Sequence, residues 1–502
     1  MILSFVNLEQ YLSTVTAINT WILATFSWLF SYSTFALLMS LFIVLVSPLG
    51  KVRIGGEHAK PLLTKWRWFS ITLCTTIATG ILFWSSAEPL YHMYSPPPSL
   101  AIESNSPQAQ QFAMATMFMH WSFTPYAIYC VPALVFALCF YNLKKPFSIS
   151  ASLSLLVGDR IFGKPAQLID GIALFALVAG MAASLGTGIL ILGGGIASFT
   201  GIDNSTFLMA GVALAIVATF VLSAVSGLKK GIARLSNINA QVFISIFLFV
   251  MQFGPTQEVI TAGQEGLVAY LDSFVSRSLD TYVAKDDGWS QDWTVFYWAN
   301  WYAWAPVTAL FLGKISVGYT VRAFIAINLI LPAIAGIVWM TAFSGTTLYV
   351  DQLLNGALYQ QLQTAGPESV IYSVFDSLPF SELIAAVFIA VTFISFVTAA
   401  DSNTDVISQL CQNDRETQTS ASSTSLKYIW GASIGIIAWV MVSYASIEGV
   451  KMMSNLGGLP AMFIIIGANV GLLILVVKKL RGGTFEPHKS AYKDQSNSHS
   501  QT

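Results

Sequence analysis

Long apolar runs alternate with short polar connections along almost the whole chain. About eleven of these runs are long enough to cross the hydrocarbon core of a bilayer, which takes roughly 17–25 residues of α-helix. They lie near residues 21–47, 69–93, 111–140, 169–197, 206–226, 237–253, 293–313, 323–345, 383–400, 428–447 and 457–477. The pattern therefore predicts an all-α polytopic membrane protein.

Composition supports this prediction and excludes several classes of protein. Of the 502 residues, 55% are hydrophobic and 10% are charged, whereas a soluble domain carries about 25% charged residues. A net charge of −1 gives no reason to expect a nucleic-acid partner. The four cysteines have no metal-binding or redox spacing. The first residues lack the basic leader of a cleavable signal.

Lysine and arginine fall almost entirely on alternate connections between the predicted spans. Under the eleven-span arrangement, 21 of the 24 lie on one side, and the first connection alone holds Lys51, Arg53, Lys60, Lys65 and Arg67. Because cytoplasmic loops are enriched in these residues, that side is predicted to be the cytoplasm. We expect a multi-pass protein of the bacterial inner membrane, with its N-terminus outside and its C-terminus in the cytoplasm.

One long connection on the predicted outer side has a helical pattern of its own. Within residues 254–292, apolar side chains recur at steps of three and four, at Val268, Leu271, Val275, Leu279 and Tyr282. That spacing predicts an amphipathic helix at about 267–283, lying at the membrane surface. The polar residues from 482 onward predict a short disordered tail in contact with the cytoplasm.

Four stretches are too polar, or too rich in glycine, to be plain membrane helix. They are residues 72–98, 120–129, 180–201 and 393–405. A polar or broken helix in lipid is costly unless it lines a cavity or pairs with another helix. A purely structural role also fits each stretch: hydroxyl groups bonded within their own helix, aromatic packing, or close approach of helices at glycine.

The sequence FYWANWYAWAP, residues 296–306, holds six aromatic residues out of eleven. On a helix, Tyr297, Trp301 and Trp304 share one face at steps of four and three. A quaternary ammonium ion has no proton to donate, so a protein holds it against aromatic ring faces, at about 0.5–2 kcal/mol each. This stretch and HWSFTPYAIY at 120–129 are the candidates to supply such rings from two helices.

Several long motifs occur along the chain in a recognisable order. They are INTWILATFSWLFSYS, LVSPLGKVRIGG, GILFWSSAEPLYHMYSPP, HWSFTPYAIY, GLKKGIARLSNIN, FYWANWYAWAP with LFLGKISVGYTVRAF, and FVTAADSNTD. With these motifs the chain resembles the betaine/choline/carnitine transporter family along nearly its whole length. The resemblance implies a LeuT-like fold of two inverted five-helix repeats, each opening with a discontinuous helix, and a substrate at the bilayer midplane.

The resemblance also divides the chain into five segments. Residues 1–68 hold one N-terminal helix and the first cytoplasmic connection, 69–253 the first repeat, 254–292 the outer amphipathic-helix segment, 293–481 the second repeat, and 482–502 the tail. Family members usually have two helices before the ten-helix core, whereas one is expected here. A homotrimer, formed partly through the outer helix, is also implied.

An aromatic substrate site follows from the resemblance. Its implied members are Trp121, Tyr126, Tyr129, Trp301 and Trp304. Asn300 stands where the family usually has a further tryptophan, so an amide replaces one ring face. The family's glycine-rich break corresponds to TIATG at residues 76–80, in which Gly80 alone matches a family glycine. These differences leave the identity of the substrate open.

Sodium is the favoured coupling ion. Sodium-driven members use a Thr-Ser pair in the ninth span, where Thr398 matches and Ala399 replaces the serine. Ser395 and Thr398 offer hydroxyl oxygens that suit a hard cation. Backbone carbonyls near Cys74 and Ile77 could complete the site. Sodium-independent exchange, as in the carnitine branch of the family, is the alternative.

The sequence thus predicts secondary uptake of a quaternary-ammonium or similar methylated-onium solute. Glycine betaine is the first candidate, followed by choline, carnitine and dimethylsulfoniopropionate. Another small zwitterion, such as an amino acid or ectoine, is an alternative, and a sensor that binds without transporting is a third hypothesis. No cofactor is expected besides the coupling ion. The five histidines are scattered in the sequence and no nucleophile–base motif is present, so an enzyme is not predicted.

Overall fold

A computed structural model describes residues 7–77, 80–226, 229–410 and 424–483. Within these ranges the chain is helical, without β-strands, and one isolated β-bridge joins Arg53 to Thr320. The α-helices, numbered in chain order, are α1 (Leu8–Val46), α2 (Lys65–Ile77), α3 (Gly80–Tyr94), α4 (Pro107–Trp121), α5 (Phe123–Ala137), α6 (Ser150–Val157), α7 (Lys164–Thr200), α8 (Thr206–Ser226), α9 (Lys229–Phe253), α10 (Thr256–Asp272), α11 (Phe274–Ser278), α12 (Phe296–Lys314), α13 (Val321–Ile325), α14 (Leu331–Leu353), α15 (Ala357–Ala365), α16 (Val370–Asp376), α17 (Ser381–Leu410) and α18 (Thr424–Leu480).

The predicted spans coincide with helical segments. Seven segments of the described chain are long and apolar enough to cross a membrane. One of them, α18, is interrupted at Ser446, where φ is 48° and ψ is −136°, and so supplies two predicted spans. The other three predicted spans are the short pair α2 and α3, the helix α9, and the aromatic-rich α12. The described chain is therefore all-helical and polytopic, as the hydropathy pattern predicts.

The predicted amphipathic helix at 267–283 differs in extent from the helix observed. The structure has α10 beginning eleven residues earlier, at Thr256, and bent by 108° from α9. After Ser273, the five-residue α11 ends the helical stretch before Leu279. Val268, Leu271 and Val275 are exposed as the pattern suggested. The helix starts earlier because its opposite face, including Val259 and Gly263, is also buried, against α14 and α4.

The third predicted span is two helices, α4 and α5, that meet at Ser122. Its φ of −122° and ψ of −126° interrupt the helix three residues before Pro125. Proline has no backbone N–H, and its ring clashes with the carbonyl four residues earlier, here that of Trp121. The break at this point follows from Pro125, and it sets the relative direction of the aromatic side chains on either side.

A second proline, Pro89, lies inside α3, where it leaves the carbonyl of Ser85 without its helical N–H partner. The hydroxyl of Ser344 on α14 donates to this carbonyl at 2.8 Å. Buried backbone carbonyls without a partner are costly, so this hydrogen bond lets a proline remain in a buried helix. It also fixes α3 against α14.

The aromatic-rich α12 lies at the centre of the helix packing, against α5, α7 and α18. The glycine-rich stretch of α7 permits close packing on its other neighbours. A β-carbon at Gly188 would lie 2.5 Å from the ring of Phe396 on α17. Away from this centre, the connection after α1 pairs with the one after α12 through the Ile54 N–H and the Tyr319 carbonyl (2.9 Å), and Trp68 stacks on Tyr319.

Candidate functional site

Four rings of the predicted aromatic box lie together. The ring centroid of Trp301 on α12 is 4.8 Å from Tyr129, 5.2 Å from Tyr126 and 6.1 Å from Trp121. We call these four residues the ring cluster. All four are buried, and the separations are those of aromatic rings in contact. A cation entering among these rings must therefore separate them.

Trp304 and Asn300, the other two predicted site residues on α12, bond to residues outside the ring cluster. The indole N–H of Trp304 donates to the Ser184 hydroxyl on α7 at 2.8 Å, and no ring contact within the described residues joins Trp304 to the ring cluster. The amide oxygen of Asn300 accepts from the Ser454 hydroxyl on α18 at 3.1 Å. Both residues thus connect α12 to neighbouring helices.

Gly80, the first residue of α3, lies directly against the ring cluster. A β-carbon at this position would be 2.9 Å from the Cη2 atom of Trp121. Any larger side chain at Gly80 would push against that indole. The absence of a side chain at Gly80 therefore leaves the space that the Trp121 indole occupies.

The hydroxyl groups of the predicted sodium site are hydrogen-bonded in the structure. The Thr398 hydroxyl donates to the Ile394 carbonyl at 2.9 Å. The Ser395 hydroxyl donates to the Val391 carbonyl at 2.7 Å and accepts from the Asn239 amide at 2.8 Å. A sodium ion at Ser395 would compete with Asn239 for the oxygen. The other two predicted positions are Cys74 and Ile77, whose side chains lie outside the described residues, so the site stays a prediction.

A buried carboxylate lies immediately behind the ring cluster. Glu88 on α3 is fully buried. Its Oε2 accepts from the indole N–H of Trp121 at 2.9 Å and from the hydroxyl of Tyr297 at 2.5 Å. Its Oε1 lies 2.6 Å from Nδ1 of His120 and 3.1 Å from Nε2 of His92. Four side chains from three helices thus converge on one carboxylate.

These contacts define what we call the Glu88 cluster: Glu88, His92 and His120. Each residue offers one potential metal-ligand atom, and these three atoms lie within 4.8 Å of one another. A metal site therefore has to be considered. The 2.6 Å separation of His120 Nδ1 from Glu88 Oε1 is a hydrogen-bond distance. Two ligands of one metal ion would lie farther apart. The geometry is therefore that of a hydrogen-bonded cluster.

The Nε2 side of the His120 ring borders a small cavity that Arg277 also lines. His120 Nε2 is 3.0 Å from the Thr294 hydroxyl. The cavity, of about 20 Å³, is lined by both residues and by Arg277, Asp280 and Tyr282 from the 254–292 segment. Burial lowers the pKa of Arg277 to about 10, so Arg277 remains protonated at neutral pH. Its guanidinium donates to the Thr116 hydroxyl at 3.0 Å and lies 4.3 Å from the Tyr282 ring.

Sequence reasoning did not find the Glu88 cluster. Two of the histidines that appear scattered in the sequence meet at Glu88 in the fold. A partial signal was present, because His92 follows Glu88 by four residues on the same helix face. His120 precedes Trp121 in a motif already singled out, but nothing in the sequence places it beside α3.

Comparison with known proteins agrees with this architecture. Residues 1–481 match the family model of the BCCT, or betaine/carnitine/choline, family of transporters. The chain belongs to this family. Its members are membrane transporters and not enzymes. The predicted all-helical, polytopic fold class is confirmed for the described residues. The LeuT-like arrangement remains what the family resemblance implies.

Two curated relatives and one solved structure illustrate the similarity. An ectoine/hydroxyectoine transporter of Virgibacillus pantothenticus is 30% identical over 442 residues, 88% of this chain and 86% of that protein. Glycine betaine transporter 1 of Vibrio parahaemolyticus is 30% identical over 459 residues, 90% of this chain and 86% of that protein. A Na⁺-coupled sialic acid symporter, solved in a substrate-bound outward-open state, is 15% identical with a TM-score of 0.48, covering 94% and 93% of the two chains. This last similarity is too low to add to the family assignment.

Proposed function

We propose that the protein takes up a small solute with a quaternary-ammonium or similar methylated-onium group, glycine betaine first, by secondary transport coupled to sodium. The observation that carries the proposal is the contact of Trp301 with Trp121, Tyr126 and Tyr129. Rings from three helices, α4, α5 and α12, are thus brought to one place, and several ring faces are what such a cation requires. A relative named as a glycine betaine transporter supports the same solute.

The indole N–H of Trp301 favours glycine betaine over choline. Trp301 is buried, and its N–H has no hydrogen-bond partner within the described residues. A buried indole N–H usually finds an acceptor. Glycine betaine carries a carboxylate that can accept this hydrogen bond, whereas choline carries a hydroxyl, which is a weaker acceptor. Gly80 belongs to the proposed site, and Trp304 and Asn300 remain proposed members at its edge.

The first test is uptake of labelled glycine betaine into proteoliposomes, with and without an inward sodium gradient. Accumulation that depends on sodium supports the proposal as stated. Uptake that is independent of sodium but stimulated by internal solute would replace symport by exchange. Saturable binding without uptake or counterflow would instead favour a sensor.

Ring substitutions test the assignment of the site. Trp301→Leu and Trp121→Leu are each expected to weaken glycine betaine binding by at least about tenfold, because a lost ring face removes on the order of 1.4 kcal/mol or more. Trp68→Leu is the matched control, since Trp68 is equally buried but stacks on Tyr319. Unchanged affinity in both ring variants would remove the ring cluster from the proposed site.

The proposed ion site consists of Thr398 and Ser395 with carbonyls near Cys74 and Ile77. Thr398→Val keeps the shape of the side chain and removes the oxygen, so the sodium concentration for half-maximal uptake is expected to rise about tenfold or more. Thr341→Val is the control, because the Thr341 hydroxyl also donates within its own helix, to the Ile337 carbonyl at 2.8 Å. Equal sodium dependence in both variants would argue against a sodium ligand at Thr398.

A second candidate substrate is another small zwitterion, in particular ectoine. The relative named as an ectoine/hydroxyectoine transporter and the amide at Asn300 both favour it. Competition of labelled glycine betaine by ectoine, choline, carnitine and proline decides between them. Stronger competition by ectoine than by unlabelled glycine betaine would change the assigned substrate.

The remaining proposals concern the membrane and assembly. We place the N-terminus outside and the C-terminus in the cytoplasm of a bacterial inner membrane, on the distribution of lysine and arginine. A homotrimer is proposed because Val268, Leu271 and Val275 expose apolar surface along α10 and α11. Labelling of single cysteines from each side tests the orientation. The mass of the purified protein in detergent tests the trimer.

A further inference from the structure

The Glu88 cluster has no role in the proposed function, although four side chains bond to its carboxylate beside the ring cluster. An ionised carboxylate only accepts hydrogen bonds. Oε2 receives two from Trp121 and Tyr297, so Oε1 is the acceptor for His120 and His92. When both histidines are neutral, each donates one N–H to Glu88, and the cluster carries one negative charge.

That negative charge is not balanced by a nearby basic side chain within the described residues. The ion-pair contacts of Glu88 are those with His92 and His120. Arg277, the basic residue that lines the cavity beside His120, donates to the Thr116 hydroxyl instead. An uncompensated buried charge is costly, so the cluster has a physical reason to take up one proton and become neutral.

The structure contains a group that accommodates this proton without loss of a hydrogen bond. His120 Nε2 is 3.0 Å from the Thr294 hydroxyl. A hydroxyl either donates or accepts. Thr294 donates to Nε2 when His120 is neutral, and its oxygen accepts from Nε2–H when His120 is protonated. His120 Nε2 therefore keeps its hydrogen bond to Thr294 in both protonation states.

A small cavity borders the same atom. The cavity of about 20 Å³ beside His120 and Thr294 is large enough for about one water molecule. It is also lined by Arg277, Asp280 and Tyr282 of the 254–292 segment, which the proposed topology places outside. Water in this cavity would connect His120 to the predicted outer surface.

Two side chains that bond to Glu88 also connect it to the ring cluster. Trp121 donates its indole N–H to Glu88 and contacts Trp301 with its ring. Tyr297 likewise bonds to Glu88 and lies 5.4 Å from the Trp121 ring. A change of charge at the cluster therefore acts on the rings proposed to hold a cation.

We propose that Glu88, His92 and His120 form a proton-binding site, and that its protonation lowers the affinity of the ring cluster for a solute cation. The coupling rests on the proposed function, whereas proton binding does not. Protonation neutralises the cluster, so a solute cation among the rings loses the attraction of that negative charge. For unit charges several ångströms apart at an effective dielectric constant of about 20, this amounts to roughly tenfold or more in affinity. By linkage, solute binding releases the proton.

Other titratable and charged groups face the same region. Directly around the cluster and its cavity they are Arg277, Asp280, Tyr282 and Tyr297. Beyond the ring of Trp293, which contacts His92, lies Lys451. At the end of α3, Tyr94 donates to Asp351. Variants of the histidines are needed because a pH profile alone does not separate these groups.

Proton binding is tested without any solute by the pH dependence of tryptophan fluorescence. The His120 ring lies 5.9 Å from Trp298 and stacks on Trp289 at 6.4 Å, and a protonated imidazole beside an indole quenches its emission. The purified protein is expected to lose fluorescence as the pH falls from 8.5 to 5.5. His92→Gln and His120→Gln should lose this change, and the exposed His58→Gln should keep it. A change that persists in both cluster variants overturns the proposal.

The same titration is repeated with EDTA to test for a metal. An identical curve is expected. A curve that depends on EDTA and is restored by Zn²⁺ would assign a metal site in place of the proton site. This arm uses the wild-type protein, so it stands even if a histidine variant fails to fold.

The coupling is tested by glycine betaine binding across the same pH range. The dissociation constant should rise about tenfold as the pH falls, and binding in weakly buffered solution should release protons. In His120→Gln the dissociation constant should no longer change with pH, and binding should release no protons. A pH-independent constant in the wild type, with proton release absent, overturns the coupling. If no glycine betaine binds at any pH, the proposed function fails, while the fluorescence titration still decides whether the cluster binds a proton.

Discussion

Glu88 and Glu368 are both buried glutamates, but their surroundings differ. Glu88, on α3, has four side-chain partners within 3.1 Å. Glu368 lies in the short turn Pro367–Ser369 between α15 and α16 and is 8% exposed. Its one side-chain hydrogen bond within the described residues comes from Asn204, at 3.1 Å. The pair separates the effect of burial on a carboxylate from the effect of hydrogen-bond donors.

Burial by itself disfavours the charged form of a carboxyl group, and donors favour it. Burial raises the pKa of Glu368 to about 7, against smaller opposing effects from its own backbone amide and from Asn204. Glu88 receives about as many hydrogen bonds as an ionised carboxylate can accept. The number of donors, more than the depth of burial, distinguishes a site built to hold a charge from one that merely tolerates it.

Glu88→Leu should have the largest effect of any change to this pair. Leucine fills similar volume but leaves the N–H or O–H groups of Trp121, Tyr297, His92 and His120 without an acceptor. At about 1–3 kcal/mol for each such group, the total loss of stability should be on the order of 4 kcal/mol or more. The measurement is the Tm of the purified protein in detergent.

Glu88→Gln is the companion variant, because its amide oxygen still accepts from Trp121 and Tyr297. It should unfold at a temperature between those of the wild type and Glu88→Leu. Equal Tm values for Glu88→Leu and the wild type would show that the four contacts contribute nothing to stability.

Glu368→Gln should stabilise the protein, but only at higher pH. The folded-state pKa of Glu368, about 7, lies above its ordinary value of 4.5. The folded protein therefore binds the proton more tightly, and the contribution of Glu368 to stability falls as the pH rises from about 4.5 to about 7. Removing this group should gain roughly 3 kcal/mol at pH 8 and nothing at pH 4.

Thermal unfolding of Glu368→Gln and the wild type at several pH values checks this prediction. Glu103→Gln, at an exposed position, is the control and should follow the wild type throughout. A gain in Tm for Glu368→Gln that is the same at all pH values would mean that burial of the charge is not its cause.

The comparison also shows what the sequence reveals and what it leaves out. Hydropathy locates the helices because burial in lipid requires long apolar runs, and Pro125 marks the break between α4 and α5. Helical spacing and the family motif bring Trp121, Tyr126, Tyr129 and Trp301 into the prediction. These properties belong to single segments.

The partners of a buried polar group depend on which helices pack together, which a single segment does not specify. His120 meets Glu88 because α4 packs against α3. Asn204 meets Glu368 across 164 positions of sequence. The length of the helix at 256–272 was missed for the same reason, since its buried face is decided by α14 and α4.

Tyr297→Phe should remove one of the four hydrogen bonds to Glu88 while keeping the ring and its packing. A hydrogen bond to a charged group contributes about 1.5–3 kcal/mol, so a loss of roughly 2 kcal/mol is expected. Tyr302→Phe is a close control, on the same helix and equally buried, whose hydroxyl bonds to the neutral Ser33 at 2.8 Å. Its loss should be about 1 kcal/mol. A larger decrease in Tm for Tyr302→Phe than for Tyr297→Phe would contradict an ionised Glu88.

Asn204→Ala should have the smallest effect and should reveal the charge state of Glu368. The Asn204 amide donates to Glu368 Oε1 at 3.1 Å, and this bond is stronger when the acceptor is ionised. A loss of about 1 kcal/mol is expected at pH 8.5, and less at pH 5.5, where Glu368 is protonated. In the Glu368→Gln background the loss should no longer depend on pH. A pH-dependent loss that persists in that background would place the titrating group elsewhere than at Glu368, and the contrast between the two glutamates would then rest on geometry alone.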